Sequence, residues 1–235
     1  MAQTVLIAGV GPGLGAALVR KFATEGCQVG MVARSEKSLQ DMAGQLKGDI
    51  LPVQADITDS EQVSRAFEKV RDNFGPVDIL INHASYAAWK GLLDLSPEQF
   101  EQSWRVTVYG AFLCAREAVP DMLKSGGGAI LFTGATSGIR GRAGALAFSS
   151  AKFGVRGMAD SLAREYWPQG IHVAHIVIDG IIDTPQVRER YNPDENEPLL
   201  NPDAIADSYW SLTRQDRSAW TFELEVRPHD EEFFS

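Results

Sequence analysis

The strongest constraint on this chain lies at its start. The apolar run Thr4-Val5-Leu6-Ile7-Ala8 passes directly into Gly9-Val10-Gly11-Pro12-Gly13-Leu14-Gly15, and a helical pattern opens at Ala16-Ala17-Leu18. Glycine density alone is a weak signal. Its place between a first strand and a first helix gives it meaning, because backbone there can approach a pyrophosphate closely. The helix N-terminus adds the positive end of a dipole. The alternative is a tight turn with no ligand, but a turn alone rarely needs four glycines.

The rest of the chain repeats the strand-helix rhythm. Val5–Ala8, Gln28–Ala33, Ile50–Gln54, Val77–Asn82, Ala129–Thr133 and His172–Ile178 read as strands, several of them apolar on both parities as buried parallel strands are. Helical patterns fall between them at Leu14–Glu25, Ser35–Leu46, Asp59–Asn73, Pro97–Lys124 and Ala143–Trp167. Thr58/Asp59 and Ser96-Pro97-Glu98 are start signals, whereas Gly26, Gly75-Pro76 and Gly126-Gly127-Gly128 are stops. The reading is α/β: a doubly wound parallel sheet in a three-layer αβα arrangement, with a ligand at the carboxyl ends of the strands. The 235 residues suit one domain, residues 1–235, with no repeat or low-complexity tract. Residues 183–201, rich in Pro, Asn and Glu, read as a mobile substrate loop. A helix near Pro202–Arg214 and a last strand near Trp220–Val226 complete the pattern.

Charge and cysteines narrow the function classes. A net charge of −9 argues against nucleic acid, which needs a basic face. The longest apolar runs are strand-length, so no membrane span is expected. The chain enters its first strand after Met1-Ala2-Gln3 with no basic flank, and the expectation is a cytoplasmic protein. Cys27 and Cys114 lie in apolar segments and read as buried reduced thiols. No His/Cys/Asp/Glu spacing suggests a metal.

The second strand speaks to the kind of dinucleotide. It ends Met31-Val32-Ala33-Arg34-Ser35. An acidic residue near this place would bind both ribose hydroxyls of NAD, whereas arginine accommodates the 2′-phosphate of NADP. Arg34 therefore favours NADP(H) over NAD(H). Two alternatives remain: Arg34 pairs with Glu36 as a solvated charge, or Glu36 itself reaches a ribose.

With these motifs in hand, the chain resembles the short-chain dehydrogenase/reductase family over roughly Thr4 to Val226, which implies a Rossmann-like fold. The family's opening Thr-Gly-x-x-x-Gly-x-Gly is similar to Ala8-Gly9-x-x-x-Gly13-Leu14-Gly15, with Ala8 replacing Thr. The Asp that contacts adenine corresponds to Asp56 in Ala55-Asp56-Ile57. The Asn-Asn-Ala-Gly turn corresponds in part to Asn82-His83-Ala84-Ser85. The later Pro-Gly-x-x-x-Thr corresponds to Asp179-Gly180-Ile181-Ile182-Asp183-Thr184, and implies Ile182 and Thr184 at the nicotinamide carboxamide. The resemblance also implies a homodimer or homotetramer, paired through the fourth and fifth helices, and a small-molecule substrate.

The catalytic positions depart from that pattern. Family members use a Tyr as acid or base, a Lys four residues later that lowers the Tyr pKa and holds the nicotinamide ribose, a Ser that orients the carbonyl, and an Asn in the fourth helix that completes a water relay. The phenol must be titratable, since its free pKa of about 10 is brought toward neutrality by the nearby cation. Here Lys152 is retained, in Phe148-Ser149-Ser150-Ala151-Lys152. The Tyr position is Phe148, the Ser position is Ala135 and the Asn position is Thr107. A local slip would bring Thr136 or Ser137 to the Ser position, but no slip supplies a tyrosine, the nearest in sequence being Tyr109 and Tyr166. Tyr86-Ala87-Ala88-Trp89-Lys90 mimics the Tyr/Lys dyad after the wrong strand. It could border the substrate space with His83, or only cover the rim. His172 and His175 read as satisfied interior or interface histidines, and Asp179 as a residue that bonds a strand end.

Three readings follow. The first is an NADP(H)-dependent oxidoreductase with altered chemistry, acting on a small carbonyl, alcohol or enoyl-type substrate. Losing a general acid costs about 10²–10⁴-fold rather than all activity, and Tyr86, His83, Ser137 or water are candidate substitutes. The second is an inactive dinucleotide-binding sensor or scaffold. The third is an assembly module with a vestigial glycine turn.

Overall fold

The computed structural model describes residues 2–194 and 197–230. Seven strands form one wholly parallel sheet: β1 (Thr4–Ala8), β2 (Gln28–Ala33), β3 (Ile50–Gln54), β4 (Ile79–Asn82), β5 (Gly128–Thr133), β6 (Ile171–Ile178) and β9 (Glu223–Val226). Their spatial order is β3-β2-β1-β4-β5-β6-β9. The chain winds outward from β1 in one direction to β3, then returns to place β4 on the other side of β1. The registers Val5↔Ile79 and Ala8↔Asn82 join the two halves. A crevice outside the carboxyl ends of β1 and β4 follows from that reversal.

The helices are α1 (Leu14–Thr24), α2 (Glu36–Ala43), α3 (Ser60–Phe74), α4 (Pro97–Trp104), α5 (Gly110–Ser125), α6 (Leu146–Tyr166), α7 (Pro185–Tyr191) and α8 (Pro202–Thr213). Side-chain caps start several of them. Asp59 accepts from the backbone N–H of Glu61 and Gln62, and Ser96 and Gln99 form a reciprocal capping box. One face of the sheet carries a core of Leu6, Phe67, Leu80, Ala118, Phe132 and Val173. The other holds Ile7, Leu18, Phe22, Ile81, Leu131 and Tyr209. Both faces of each inner strand are therefore apolar, as the two-parity pattern implied.

Three expectations need correction. The pattern Pro97–Lys124 is not one uninterrupted α-helix. Between α4 and α5 the residues Arg105–Tyr109 take a wider π turn, a form that concentrates at functional sites. Its side chains keep a helical apolar spacing, so periodicity alone does not reveal it. Residues 183–201 are not simply irregular. They contain α7 and the short strand β8 (Leu199–Leu200), which pairs in parallel with β7 (Ile181–Ile182). Thr184 caps α7 by accepting from the Val187 N–H at 3.1 Å. Residues 195 and 196 of that loop lie outside the described residues. The last strand is also shorter, beginning at Glu223 rather than Trp220.

A charge cluster ties α3 to α5. Arg71 Nε donates to Asp121 at 2.8 Å and Arg71 Nη2 donates to the Glu117 carbonyl at 2.8 Å, while Asp121 also accepts from the Val77 N–H at 3.3 Å. Removing one partner strands the others in a largely desolvated place. Asp121→Ala is expected to lower stability by about 2 kcal/mol, read as an earlier urea midpoint with an unchanged slope.

Candidate active site

The glycine turn and the β4 end close on each other by direct backbone contact. Gly9 has φ +95°, and a Cβ there would lie 2.4 Å from Ala84 Cα. Gly13 has φ +134°, and its Cβ would lie 2.6 Å from Thr184 Cγ2. Larger residues are excluded at both, so Ala84 and Thr184 sit against the turn. Leu14 and Gly15 are buried in the first turn of α1. That first turn has neither a side-chain cap nor an acidic residue, and while Ala16 N–H donates to the Gly11 carbonyl at 3.0 Å, the leading N–H groups of Leu14 and Gly15 are open to an anion.

A cavity of about 390 Å³ extends from the turn along the ends of β2, β3 and β4. Gly9, Arg34, Asp56, Ile57, Ala84 and Tyr86 are among its lining residues, together with His83. Arg34 is exposed, its carbonyl accepts from Gln54 Nε2 at 3.0 Å, and among the described residues it makes no ion pair with Glu36. Asp56 is held by Thr58, whose N–H donates at 2.9 Å and whose hydroxyl donates at 2.8 Å. A larger groove of about 490 Å³, between α2, β3 and α3, lies away from the strand ends that gather these residues.

Asn82 tests whether a bound group fits. It is buried at 6% exposure, and neither its amide oxygen nor its nitrogen has a partner. Buried polar groups are normally hydrogen-bonded. An orphaned amide beside a close-packed glycine turn fits a site built for a polar ligand. The residues present thus fit a dinucleotide.

The positions that the resemblance marks as catalytic stand on α6, in the π turn and after β5, and do not line that cavity. Phe148, on α6, is half-buried and packs against the Trp89 ring at 5.0 Å. Lys152 Nζ lies 5.4 Å from the Phe148 ring centroid and donates to the Thr133 carbonyl at 2.7 Å. Lys152 is 2% exposed. Burial brings its ammonium down to about 8. Thr107 lies in the π turn, buried, with an unpartnered hydroxyl. Ala135 precedes the short 3₁₀ turn Thr136–Gly138, which carries the buried Ser137 and packs against the Lys152 backbone. Tyr86 lines the cavity on the side of Arg34 and Asp56, and its carbonyl accepts from Ser103 Oγ at 2.7 Å.

Sequence reasoning missed two residues here, Thr133 and Tyr209. His83 Nδ1 lies 3.2 Å from Thr133 Oγ1, which lies 2.8 Å from the Tyr209 hydroxyl. Thr133 stands at the carboxyl end of a strand that was recognised, so its hydroxyl was a usable signal. Tyr209 is 76 residues away and offered none. Burial, and to a lesser degree the Lys152 charge, lowers His83 to about 4. His175 is tied through Nδ1 to Glu223 at 3.0 Å, although its Nε2 has no partner, and His172 Nε2 meets the Thr221 carbonyl at 2.9 Å. Asp179 accepts from Thr136 Oγ1 and pairs with Arg227, which fastens the end of β6 to the loop after β5. Gly180 follows with φ +146°, and Ile182 leans on the second core. Among the described residues no cluster suits a metal ion, and no helix is long and apolar enough to cross a membrane.

The short chain dehydrogenase profile matches residues 3–195. The chain belongs to this family of oxidoreductases. It is 33% identical over 188 residues to the 3-oxoacyl-(acyl-carrier-protein) reductase MabA of Mycobacterium tuberculosis, covering 80% of this chain and 72% of that protein. A short-chain dehydrogenase from Rhodopseudomonas palustris superposes with TM-score 0.84 at 33% identity, covering 97% of this chain and 99% of that one. The fold is also that of L-sorbose reductase from Gluconobacter frateurii, solved with NADPH and L-sorbose, with TM-score 0.87, 24% identity, and coverage of 97% and 95%. The family fold binds a nicotinamide dinucleotide and acts on small molecules.

His83 makes the native state sensitive to acid. The unfolded imidazole protonates near 6.5 and the folded one near 4. Between those values the unfolded chain holds the extra proton, so stability falls as pH drops, by up to about 3 kcal/mol. In His83→Gln that part of the loss is expected to disappear from urea titrations run between pH 6.5 and 4.

Proposed function

We propose that this chain is an NADP(H)-dependent oxidoreductase that moves hydride to or from a small carbonyl, alcohol or enoyl-type substrate without a catalytic phenol. The observation that carries this reading is Lys152. A buried ammonium with one carbonyl partner costs stability, and such groups mark functional sites. It stands beside Phe148, where family members have the phenol it would serve.

When bound, the dinucleotide supplies hydride chemistry. Gly9, Gly13, Leu14 and Gly15 receive its pyrophosphate at the head of α1. Arg34 takes the 2′-phosphate, and its freedom from Glu36 supports NADP(H). Asp56 and Ile57 border the adenine, and Asn82 and Ala84 the ribose. Gly180, Ile182 and Thr184 border the carboxamide. In reduction, Lys152 Nζ gives its proton to the substrate oxygen, or to carbon in an enoyl substrate, and regains one from water. Its lowered pKa suits that exchange near neutral pH. Trp89 and Phe148 exclude water around the step. Ser137, and Tyr86 on the opposite side of the cleft, then serve as walls rather than donors.

The same proposal includes a cytoplasmic homodimer or homotetramer. Exposed Trp104, Phe112 and Phe153 on α4, α5 and α6 support a self-pairing face.

A second reading, a dinucleotide-binding sensor or scaffold, is favoured by one observation. The Trp89–Phe148 pair occupies the place where proton transfer would be organised.

NADPH is expected to raise the melting temperature more than NADH does. Arg34→Ala should weaken NADPH binding about 10-fold and leave NADH unchanged. Purified protein mixed with NADPH and a panel of ketones and enoyl thioesters should oxidise the cofactor. Lys152→Met should reduce that rate at least about 100-fold. Tight NADPH binding with no turnover, and activity created by Phe148→Tyr with Ala135→Ser, would instead establish the second reading.

A further inference from the structure

The groups that meet at Thr133 have one arrangement of protons that satisfies all of them. Tyr209 is 0% exposed, and its hydroxyl has a single partner, Thr133 Oγ1. A buried phenol that only accepted would leave its own proton stranded. Tyr209 therefore donates to Thr133. The threonine hydroxyl holds one proton, and His83 Nδ1 at 3.2 Å is its remaining neighbour. Thr133 thus donates to His83 Nδ1, and the imidazole proton sits on Nε2. Burial keeps the ring neutral. Among the described residues nothing accepts from Nε2, and unlike the Asn82 amide that atom is not enclosed by protein. The space it reaches is the cavity of about 390 Å³ that His83 lines together with Gly9, Val10 and Ala84. The His83 backbone is fixed there. The N–H groups of His83 and Ala84 both donate to the Ala8 carbonyl, at 3.0 and 2.8 Å, one residue before Gly9.

We propose that His83 is a cofactor-binding residue of this chain. Its Nε2–H donates a hydrogen bond to a diphosphate oxygen of the dinucleotide, and Thr133 and Tyr209 are positioning residues that fix this tautomer. The proposal rests on the dinucleotide reading above. It adds a side-chain donor to a glycine turn that otherwise offers backbone N–H groups alone. A hydrogen bond to an ionised oxygen is among the stronger ones, and the Nε2–H is already turned to the cavity before the ligand arrives. Lys152 is bound to the Thr133 carbonyl and His83 to the Thr133 hydroxyl, so one residue anchors both the donor to the cofactor and the buried ammonium.

Two measurements test this, and neither needs turnover. In nitrogen-15 NMR of histidine-labelled protein, with His83→Gln used to assign the signal, free His83 should show the Nε2–H tautomer. Saturating NADP⁺ should shift that signal. An Nδ1–H tautomer, or a signal that NADP⁺ leaves in place, would overturn the proposal. Tyr209→Phe and Thr133→Val should move the free ring toward the Nδ1–H form and weaken NADP⁺ binding about 3-fold. An unchanged tautomer in both would remove their positioning role. In titration calorimetry, His83→Phe should raise the NADP⁺ Kd about 10-fold. His83→Gln puts an amide N–H near the Nε2 position and should restore most of that loss. Adenosine 2′-phosphate, which has no diphosphate, should bind the wild type and His83→Phe equally, whereas Arg34→Ala should weaken both ligands. An unchanged NADP⁺ Kd in His83→Phe, equal loss in the Phe and Gln variants, or a matching loss of adenosine 2′-phosphate would overturn the role at the diphosphate while the dinucleotide reading stands. A wild type that binds neither ligand would remove the dinucleotide reading, and this role with it.

Discussion

The hydrogen bond from Lys152 to the Thr133 carbonyl organises the functional end of this molecule. A charged ammonium is buried between a helix and a strand end, with an aromatic ring on one side and one backbone acceptor on the other. Such a group is unstable in isolation and persists because the fold surrounds it. The rest of the site can be followed outward from Thr133. Its hydroxyl links His83 at the end of β4 with Tyr209 on α8, so helices on both faces of the sheet converge on one residue. Removal of the phenol from α6 has therefore not emptied the site of polar chemistry.

The sheet order explains why these groups meet. Placing β4 and β5 consecutively beside β1 sets His83 and Thr133 on neighbouring strand ends, next to the glycine turn. The far edge is closed by polar contacts: Arg156 pairs with Glu223, which also meets His175 Nδ1 at 3.0 Å, and Arg227 holds Asp179. Asp179 stands where relatives of this family carry a proline. Its bonds to Thr136 and Arg227 restrain the same strand end by polar contacts rather than by a fixed φ.

Much of this was legible in the sequence, for local reasons. A parallel strand inside the sheet must be apolar on both parities, so Gln28–Ala33 was readable to the residue, and the half-buried edge strand Ile50–Gln54 was marked by its short apolar run between polar flanks. The glycines of the first turn were legible because close backbone approach tolerates little else. The π turn was hidden, since Val106 to Tyr109 keeps a helix-like apolar spacing whichever way the backbone bonds. Helix α7 was hidden because its seven residues are too few to show an apolar period, and the cap at Thr184 is its clearest signal. The absence of a phenol at position 148 was plain from spacing alone. What stands behind that position was not, because the Thr133–Tyr209 bond joins residues 76 apart across the sheet. Periodicity reports which face a side chain takes, not which distant side chain it meets.

The account depends most on the state of Lys152. Carbon-13 NMR of lysine-labelled protein, with Lys152→Met used to assign the signal, measures its titration directly. The account predicts a midpoint of about 8 in the free protein, set by burial. A midpoint at the ordinary lysine value of about 10.4 would contradict it, because Lys152 would then be solvated and unable to exchange a proton with substrate near neutral pH.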